Sequence, residues 1–452
     1  QQAFNGLAAR HDALRSVFYA VDGQPRQRIR APMPVSVDYH DLSGLAADTA
    51  QSQAGQWAEA AARQPFDLEQ GPVWRVTLVR LPGPAEPLHE LSLTLHHLIA
   101  DGWSLNRLLA EFAELYSATL NHREPHLPAL PIRHADYAVW QRSWLEAGES
   151  QRQLTYWSER LCGEQPVIEL PYDRPRPTEP SQRGGRVGFA LSDTQSLAIQ
   201  QLAQHHSVTV FMVLLAAFKV LLYRYSGQTD LRIGLPLANR HRPESQNLIG
   251  YFVNTVVLRT DVQGGMPFSE LLAHIKHHLL EAQAHPDLPF EHLVDALQPE
   301  RRLGQNPLFQ ILINHQQRDF NALQQQNGWQ IAAIARDNGA AQFDLSLDTE
   351  QDSHGLISGF FTYVTDLFDA TTIERLADHY QQLLARLVDN PTIAIAQQAL
   401  LSNAEQTQFE LWNVWAKTYD EATPVHQLIQ CRAAQQPDAV ALVCGGRQLS
   451  YA

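Results

Sequence analysis

Apolar and polar residues alternate along this chain in two rhythms, and the switches between them mark out its elements. At the start, Phe4, Leu7, Ala8, Leu14 and Phe18 keep roughly helical spacing with Arg and His between them, which predicts one helix. Residues 72–81 and 90–97 read as strands; in the second, Leu91, Leu93 and Leu95 alternate with Ser92 and Thr94. A short Asp-Gly turn follows. Beyond it, Leu105, Leu108, Leu109, Phe112, Leu115 and Tyr116 form an i, i+3, i+4, i+7 stripe, so this region reads as strand, tight loop, helix. The Ala- and Gln-rich stretch at 46–64 predicts an exposed helix, and Gln324–Gln326 a loop tip. An almost unbroken apolar run predicts a buried helix at 209–225, and 251–262 reads as a strand. Mixed helices and strands make the expected class α/β.

Breaks in this pattern divide the chain. Pro171, Pro175, Pro177 and Pro180, followed by Gly184 and Gly185, give a linker composition. The expected organisation is a first lobe at 1–170, a linker at 171–186, a second lobe at 187–400 and a distinct segment at 401–452. That last segment starts a new helix and strand and stops in mid-element. No methionine or cap precedes the first helix, so the expectation is a piece of a longer polypeptide. No fixed-period repeat is visible.

Composition narrows the function. The 452 residues carry 34 Lys plus Arg against 48 Asp plus Glu, a net charge of −14. Nucleic-acid binding is disfavoured, because phosphate contacts need a basic field. No stretch reaches the roughly 18 apolar residues of a membrane helix, and no signal pattern is seen. Three scattered cysteines, Cys162, Cys431 and Cys444, make neither a disulfide framework nor a metal site. The expected setting is cytoplasmic.

Candidate chemistry concentrates in His96-His97-Leu98-Ile99-Ala100-Asp101-Gly102, where a strand ends. Strand alternation puts His97 on the face of Leu91, Leu93 and Leu95 and His96 on the opposite face, so the two should do different jobs. Asp101 can reach back across the turn to orient a ring or bind an arginine, and Gly102 permits a backbone shape that a Cβ would hinder. Two other pairs, His205-His206 and His277-His278, have no Asp-Gly at that offset and read as helix-surface or helix-end residues.

HHLIADGWS resembles the HHxxxDG signature of condensation domains of nonribosomal peptide synthetases. Other segments resemble that family's motifs in order: Arg10–Phe18 (RHxxLRxxF), Asp136–Gln141 (DYAxWQ), Ile249–Arg259 (IGxFVNTxxxR), His285–Glu291 (HxDxPFE) and Asn306–Gln310 (NPLFQ). The resemblance covers roughly residues 1–400, although the family's first motif is missing and Pro286 replaces a frequent Gln. QPDAVALVCGGRQLSYA resembles the start of an adenylation domain, without its catalytic parts.

The resemblance implies two lobes, each similar to chloramphenicol acetyltransferase, in a V-shaped pseudo-dimer with a central tunnel. It implies no directly bound cofactor and no metal: phosphopantetheine arms come in on upstream and downstream carrier domains, and an adenylation domain adjoins in the same polypeptide. The acceptor's α-amine attacks the donor's thioester, with His97 as general base or as positioning group; His96, Asp101 and Gly102 complete the site. The family pairs Asp101 with the second Arg of RHxxLRxxF, here Arg15. Trp103 and Ser104 are expected to pack and start the helix, or to line the tunnel with Asn254 and Thr255. Asp136, Tyr137 and Trp140 are expected in lobe packing. Clusters at Arg240-His241-Arg242 and Arg301-Arg302 read as solvated charge or a face for an acidic carrier. The rival readings are a dual epimerisation/condensation domain, a free coenzyme-A acyltransferase and a non-catalytic platform that recruits carrier proteins. A plain epimerisation domain lacks its second motif here, and a heterocyclase would carry Asp in place of the histidines.

Overall fold

In the computed structural model, the described residues are 1–83, 88–299, 304–317, 331, 334, 337, 339–413 and 423–452. They fall into two compact units, Gln1–Leu400 and Leu401–Ala452. Gln324–Gln326 and Arg301-Arg302 lie outside the described residues.

The first lobe of the larger unit contains α1 (Gln2–Arg10), β1 (Ser16–Val21), β2 (Gln24–Ile29), β3 (Val37–Asp41), α2 (Ala47–Arg63), β4 (Trp74–Leu81), β5 (Leu88–Leu95), α3 (Gly102–Leu120), α4 (His134–Trp144) and α5 (Ser150–Leu161). The second lobe contains β6 (Gly184–Ala190), α6 (Asp193–His205), α7 (Val210–Ser226), β7 (Asp230–Leu237), β8 (Asn254–Asp261), α8 (Phe268–Gln283), α9 (Phe290–Leu297), β9 (Ile311–Gln317), β10 (Leu345–Gln351), β11 (Ile357–Val364) and α10 (Ala370–Asp389). The smaller unit has α11 (Asn403–Asn413), α12 (Val425–Gln435) and the hairpin β12 (Val440–Cys444)–β13 (Arg447–Ser450).

The opening helix is shorter than its apolar spacing predicts. It ends at Arg10, and Leu14 and Phe18 sit in a 3-10 turn and in β1. A buried polar cluster sets the break. The His11 ring and the Arg10 guanidinium both bind Glu111 of α3, at 2.7 and 3.0 Å, and His11 takes an extended backbone. Below it, Phe4 stacks on Phe112 at 4.6 Å and meets Trp74 at 6.0 Å, closing the apolar core between α1, α3 and the β3-β4-β5 sheet. The helix at 46–64 is not exposed all round, as expected, but buries Ala50, Ala54 and Ala58. This small-residue stripe lets α2 lie close on Val79 and Leu42.

The second lobe is built on a six-stranded sheet, ordered β6-β11-β10-β9-β7-β8. Strand alternation gives it two unlike faces. Ile311, Ile313, Leu345, Leu347 and Phe361 are fully buried in the core with α7 and α10. Gly184 and Gly185, read as linker, belong to β6; a Cβ on Gly185 would lie 2.5 Å from the Tyr363 ring. The strand expected from 251 begins at Asn254. No single helix among the described residues is long and apolar enough to cross a membrane.

α7 is capped by Thr209, whose hydroxyl accepts from the Met212 amide at 3.2 Å, and ends at left-handed Gly227 (φ 69°). Inside it, Lys219 is fully buried and donates to the carbonyls of Leu231 (3.1 Å) and Leu258 (2.9 Å). Burial pushes its pKa down to about 7. The unfolded chain holds that proton to about pH 10.4, so between these values unfolding takes up a proton and stability rises with pH, by about 1.4 kcal/mol per unit. Urea unfolding of the chain and of Lys219→Met at pH 7.5 and 9 should show the parent gaining on the variant as pH rises; a difference that stays flat contradicts this assignment.

Candidate active site

The site forms where β5 runs out. The His96 amide still donates to Val73 O at 3.0 Å, but the chain then turns into a single 3-10 turn, His97–Ile99. Ile99 is fully buried in the first-lobe core and anchors the turn. His97 therefore leaves the strand before alternation can assign it a face, and the expectation of opposite faces is corrected: both rings line one cavity.

Their hydrogen bonding does separate them. His96 Nδ1 accepts from the Leu98 amide at 3.2 Å, which puts the proton of the neutral ring on Nε2. Its ring also meets Phe66 edge-on at 6.0 Å. His97 packs edge-on against Tyr251 at 5.2 Å, with the planes at 89°. Among the described residues, neither ring nitrogen of His97 has a hydrogen-bond partner. His97 is exposed to the cavity, so both nitrogens remain available to a substrate.

Asp101 is the N-cap of α3 and is buried. One of its oxygens accepts from the Ser104 amide at 2.8 Å; the other accepts from the Phe252 amide at 3.1 Å. Its cation is not Arg15. Arg15 binds Asp12 and the carbonyl of Ala8 instead, so the expected Asp101–Arg15 pair is corrected. Arg240 fills that place, with Nη2 at 3.1 and 3.3 Å from the two oxygens of Asp101. The reading of Arg240 as solvated or carrier-facing charge falls with it. Arg240 is 6% exposed, lies over Phe252 at 4.0 Å and donates to the carbonyls of Ser245 and Leu248 at 2.7 and 2.8 Å. Burial lowers its pKa from the ordinary arginine value and Asp101 opposes that shift. Left-handed Asn239 (φ 51°) turns the chain just before it, a conformation asparagine tolerates.

Ser104 is buried at the centre of this knot. Its hydroxyl donates to Gly250 O (2.8 Å) and accepts from Gly250 N (3.1 Å) and Arg240 Nη2 (2.7 Å). Gly250 is required by close approach, since a Cβ there would lie 2.2 Å from the His134 ring. Gly102 is helical rather than specially turned, which corrects its expected backbone role. A Cβ on it would meet the Gln316 amide at 3.1 Å, so glycine serves the approach of β9 to the start of α3. Trp103 Nε1 donates to Gln246 O at 3.0 Å and Asn106 Nδ2 to Gln317 O at 3.2 Å. Every one of these links joins the two lobes.

The cavity between them measures about 1260 Å³, above the usual several hundred to 1,000 Å³ of a small-molecule pocket. Trp103 and Thr255 line it. Ser104 and Asn254 are not among its lining residues, and Asn254 instead donates to Pro286 O and Leu288 O, both at 2.7 Å. Tyr137 and Trp140 pack with Leu248 and Phe252. Asp136 closes the first turn of α4 by accepting from the Arg133 amide at 2.9 Å. No group of three or more His, Cys, Asp or Glu suited to a metal ion occurs among the described residues.

This architecture is that of an acyltransferase-type, amide-forming family, and the chain belongs to it: the condensation-domain family profile matches residues 1–410. One of the linear gramicidin synthase subunits of Brevibacillus parabrevis is 41% identical over 455 residues, covering all of this chain and 9% of that protein. The chain thus spans about a tenth of the length of that curated relative. Among solved structures, the X-domain from teicoplanin biosynthesis superposes with a TM-score of 0.76 at 26% identity, over 88% of this chain and 89% of that one. A four-domain nonribosomal peptide synthetase bound to AMP and glycine gives 0.81 at 24%, over 99% of this chain and 34% of that one.

Removing either partner of a buried ion pair costs about 3–5 kcal/mol. Arg240→Gln should therefore lower the unfolding free energy by about that much and weaken activity. Arg15→Gln should leave the Asp101 turn in place and cost less. Urea denaturation of both variants checks this ranking; equal losses would contradict it.

Proposed function

We propose that the chain forms a peptide bond: the α-amine of a carrier-bound aminoacyl group attacks the thioester carbonyl of an upstream carrier-bound acyl or peptidyl group. The observation that carries this is His97, its ring nitrogens unengaged, on a cavity that both lobes close. The new C–N bond gives a tetrahedral intermediate. The amine loses a proton, the C–S bond breaks, and the leaving sulfur takes up a proton as thiol. An α-amine has a reference pKa of about 7.7–8.0, so a sizeable neutral fraction exists near pH 7.5 and no strong base is needed. His97 takes the amine proton, or holds the amine as charge develops; either use needs a free nitrogen. His96 is the lesser partner, because Nδ1 is already engaged by the Leu98 amide. Asp101 acts by placing the turn, and Gly102 by leaving room for Gln316 at the start of α3.

The carriers bring the substrates on phosphopantetheine arms, and the chain itself binds no cofactor. The four segments 1–170, 171–186, 187–400 and 401–452 serve as first lobe, linker, second lobe and the lead into an adenylation domain. The match to the linear gramicidin synthase supports the last point, since it runs through the tail. A cytoplasmic setting agrees with three unpaired cysteines.

The test is a reconstituted assay with donor and acceptor loaded on carrier proteins. His97→Ala should lower the rate at least about a hundredfold, the range of acid–base groups, and His96→Ala less. A folded His97→Ala variant that forms product at the parent rate overturns the reading. Chiral analysis of the product separates ordinary condensation from the dual epimerising reaction.

A further inference from the structure

The six-stranded sheet turns one face to the apolar core and the other to the cavity, and the cavity face carries a polar patch. Cross-strand register puts Arg186, Thr362, Ser346 and Leu312 in one row. The next row holds Gly188, Phe360, Asp348 and Asn314. Arg186, Asn314, Ser346, Asp348 and Thr362 all line the cavity. The guanidinium of Arg186 lies over the Phe360 ring at 3.9 Å, which carries it into the row of Asp348. Asp348 is Phe360's direct partner on β10, and neighbouring strands lie about 4.8 Å apart.

A cation and a carboxylate are therefore neighbours without being a pair. Among the described residues, no ion pair within 4 Å engages either side chain. Asp348 has Asn314 Nδ2 at 3.2 Å and a hydrogen bond from Ser346. Burial raises its pKa. Arg186 Nε is buried with no hydrogen-bond partner. A guanidinium and a carboxylate with hydrogen-bonding capacity to spare, both side chains half-buried on the cavity wall, are what a ligand's polar group would complete, since such groups are costly when left unmet.

The β9 end of this wall approaches the reacting loop. Gln316 approaches Gly102 at the start of α3, and Asn314 lies two residues back along β9, about 6.6–6.8 Å away. Building on the condensation reading above, we propose that Arg186, Asn314 and Asp348 form a selectivity subsite for the side chain of an aminoacyl substrate presented at His97, and that this side chain carries a carboxamide. Its N–H donates to Asp348 and its oxygen accepts from Arg186. An ammonium would meet Arg186, a carboxylate would meet Asp348, and an aliphatic side chain would leave both groups unmet.

The test loads the carriers with glutamine, glutamate, ornithine or leucine at donor and acceptor positions in turn, and reads kcat/KM with the full chain. At one position glutamine should exceed the other three by about tenfold or more, as expected for a site built to hydrogen-bond its substrate. Asp348→Ala should cut the glutamine-to-leucine ratio at least about fivefold. Asp348→Asn, which keeps the shape, should raise glutamate relative to glutamine by a similar factor, because it removes the like charge. Ratios that stay as in the parent, or a parent indifferent to the four side chains, overturn the subsite and leave condensation standing. No product from the parent with any pair overturns condensation instead. In that case calorimetry with amide-linked glutaminyl- and leucyl-pantetheine decides the subsite: tighter glutaminyl binding that Asp348→Ala abolishes supports it, and equal binding overturns it.

Discussion

Asp101 and Arg240 come from opposite lobes, and taking two charges out of water costs several kcal/mol per ion before their attraction is counted. The structure offsets that cost by meeting most of their hydrogen-bonding capacity. Asp101 receives the amides of Ser104 and Phe252 besides the guanidinium. Arg240 reaches the carbonyls of Ser245 and Leu248 and the Ser104 hydroxyl. A buried pair of this kind adds little net stability over an apolar packing, but it strongly disfavours any arrangement that separates its members. Here that means the start of α3 can sit in one position against the segment leading into β8.

The placement of the histidines follows from that constraint. The turn at His97–Ile99 is pinned on one side by the His96 amide on Val73 O and on the other by Ile99 in the core and the cap at Asp101. Between the two pins, His97 faces the cavity and rests on Tyr251, the residue just before Phe252, whose amide binds Asp101. The wall that supports the ring and the loop that carries it are thus fixed by one network. For an activated acyl group and an amine that is partly neutral near pH 7.5, holding the reactants in place is the larger part of the task, and a stiff inter-lobe junction suits it.

Much of the fold was legible in the sequence, because period-2 and period-3.6 patterns report which face meets the core. The β5-turn-α3 unit and the buried α7 were visible on that basis. The break after Arg10 was not, because Leu14 and Phe18 keep helical spacing although the chain turns; the cause is the distant Glu111 that takes up His11. The face of α2 was missed because its buried stripe is alanine, which reads as neither clearly core nor clearly surface. At the site, the His-Asp-Gly motif marked the right turn but not the cation of Asp101. Arg240 stands 139 residues away at the head of a charged-looking run, and only the three-dimensional approach of the lobes distinguishes it from the exposed His241 and Arg242 that follow it. The polar wall around Asp348 was equally hidden: an alternating strand implies two faces, but not that one of them borders a cavity.

The most direct test of the account is a double-mutant cycle on Asp101 and Arg240, using Asp101→Asn, Arg240→Gln and the pair, with unfolding free energies from urea denaturation. Residues that share one buried network couple by about 0.5–3 kcal/mol. Asp101 and Arg240 should couple in the upper part of that range, with the double variant less impaired than the sum of the single ones. Additive losses would mean that the two lobes are held at this junction by something other than the pair.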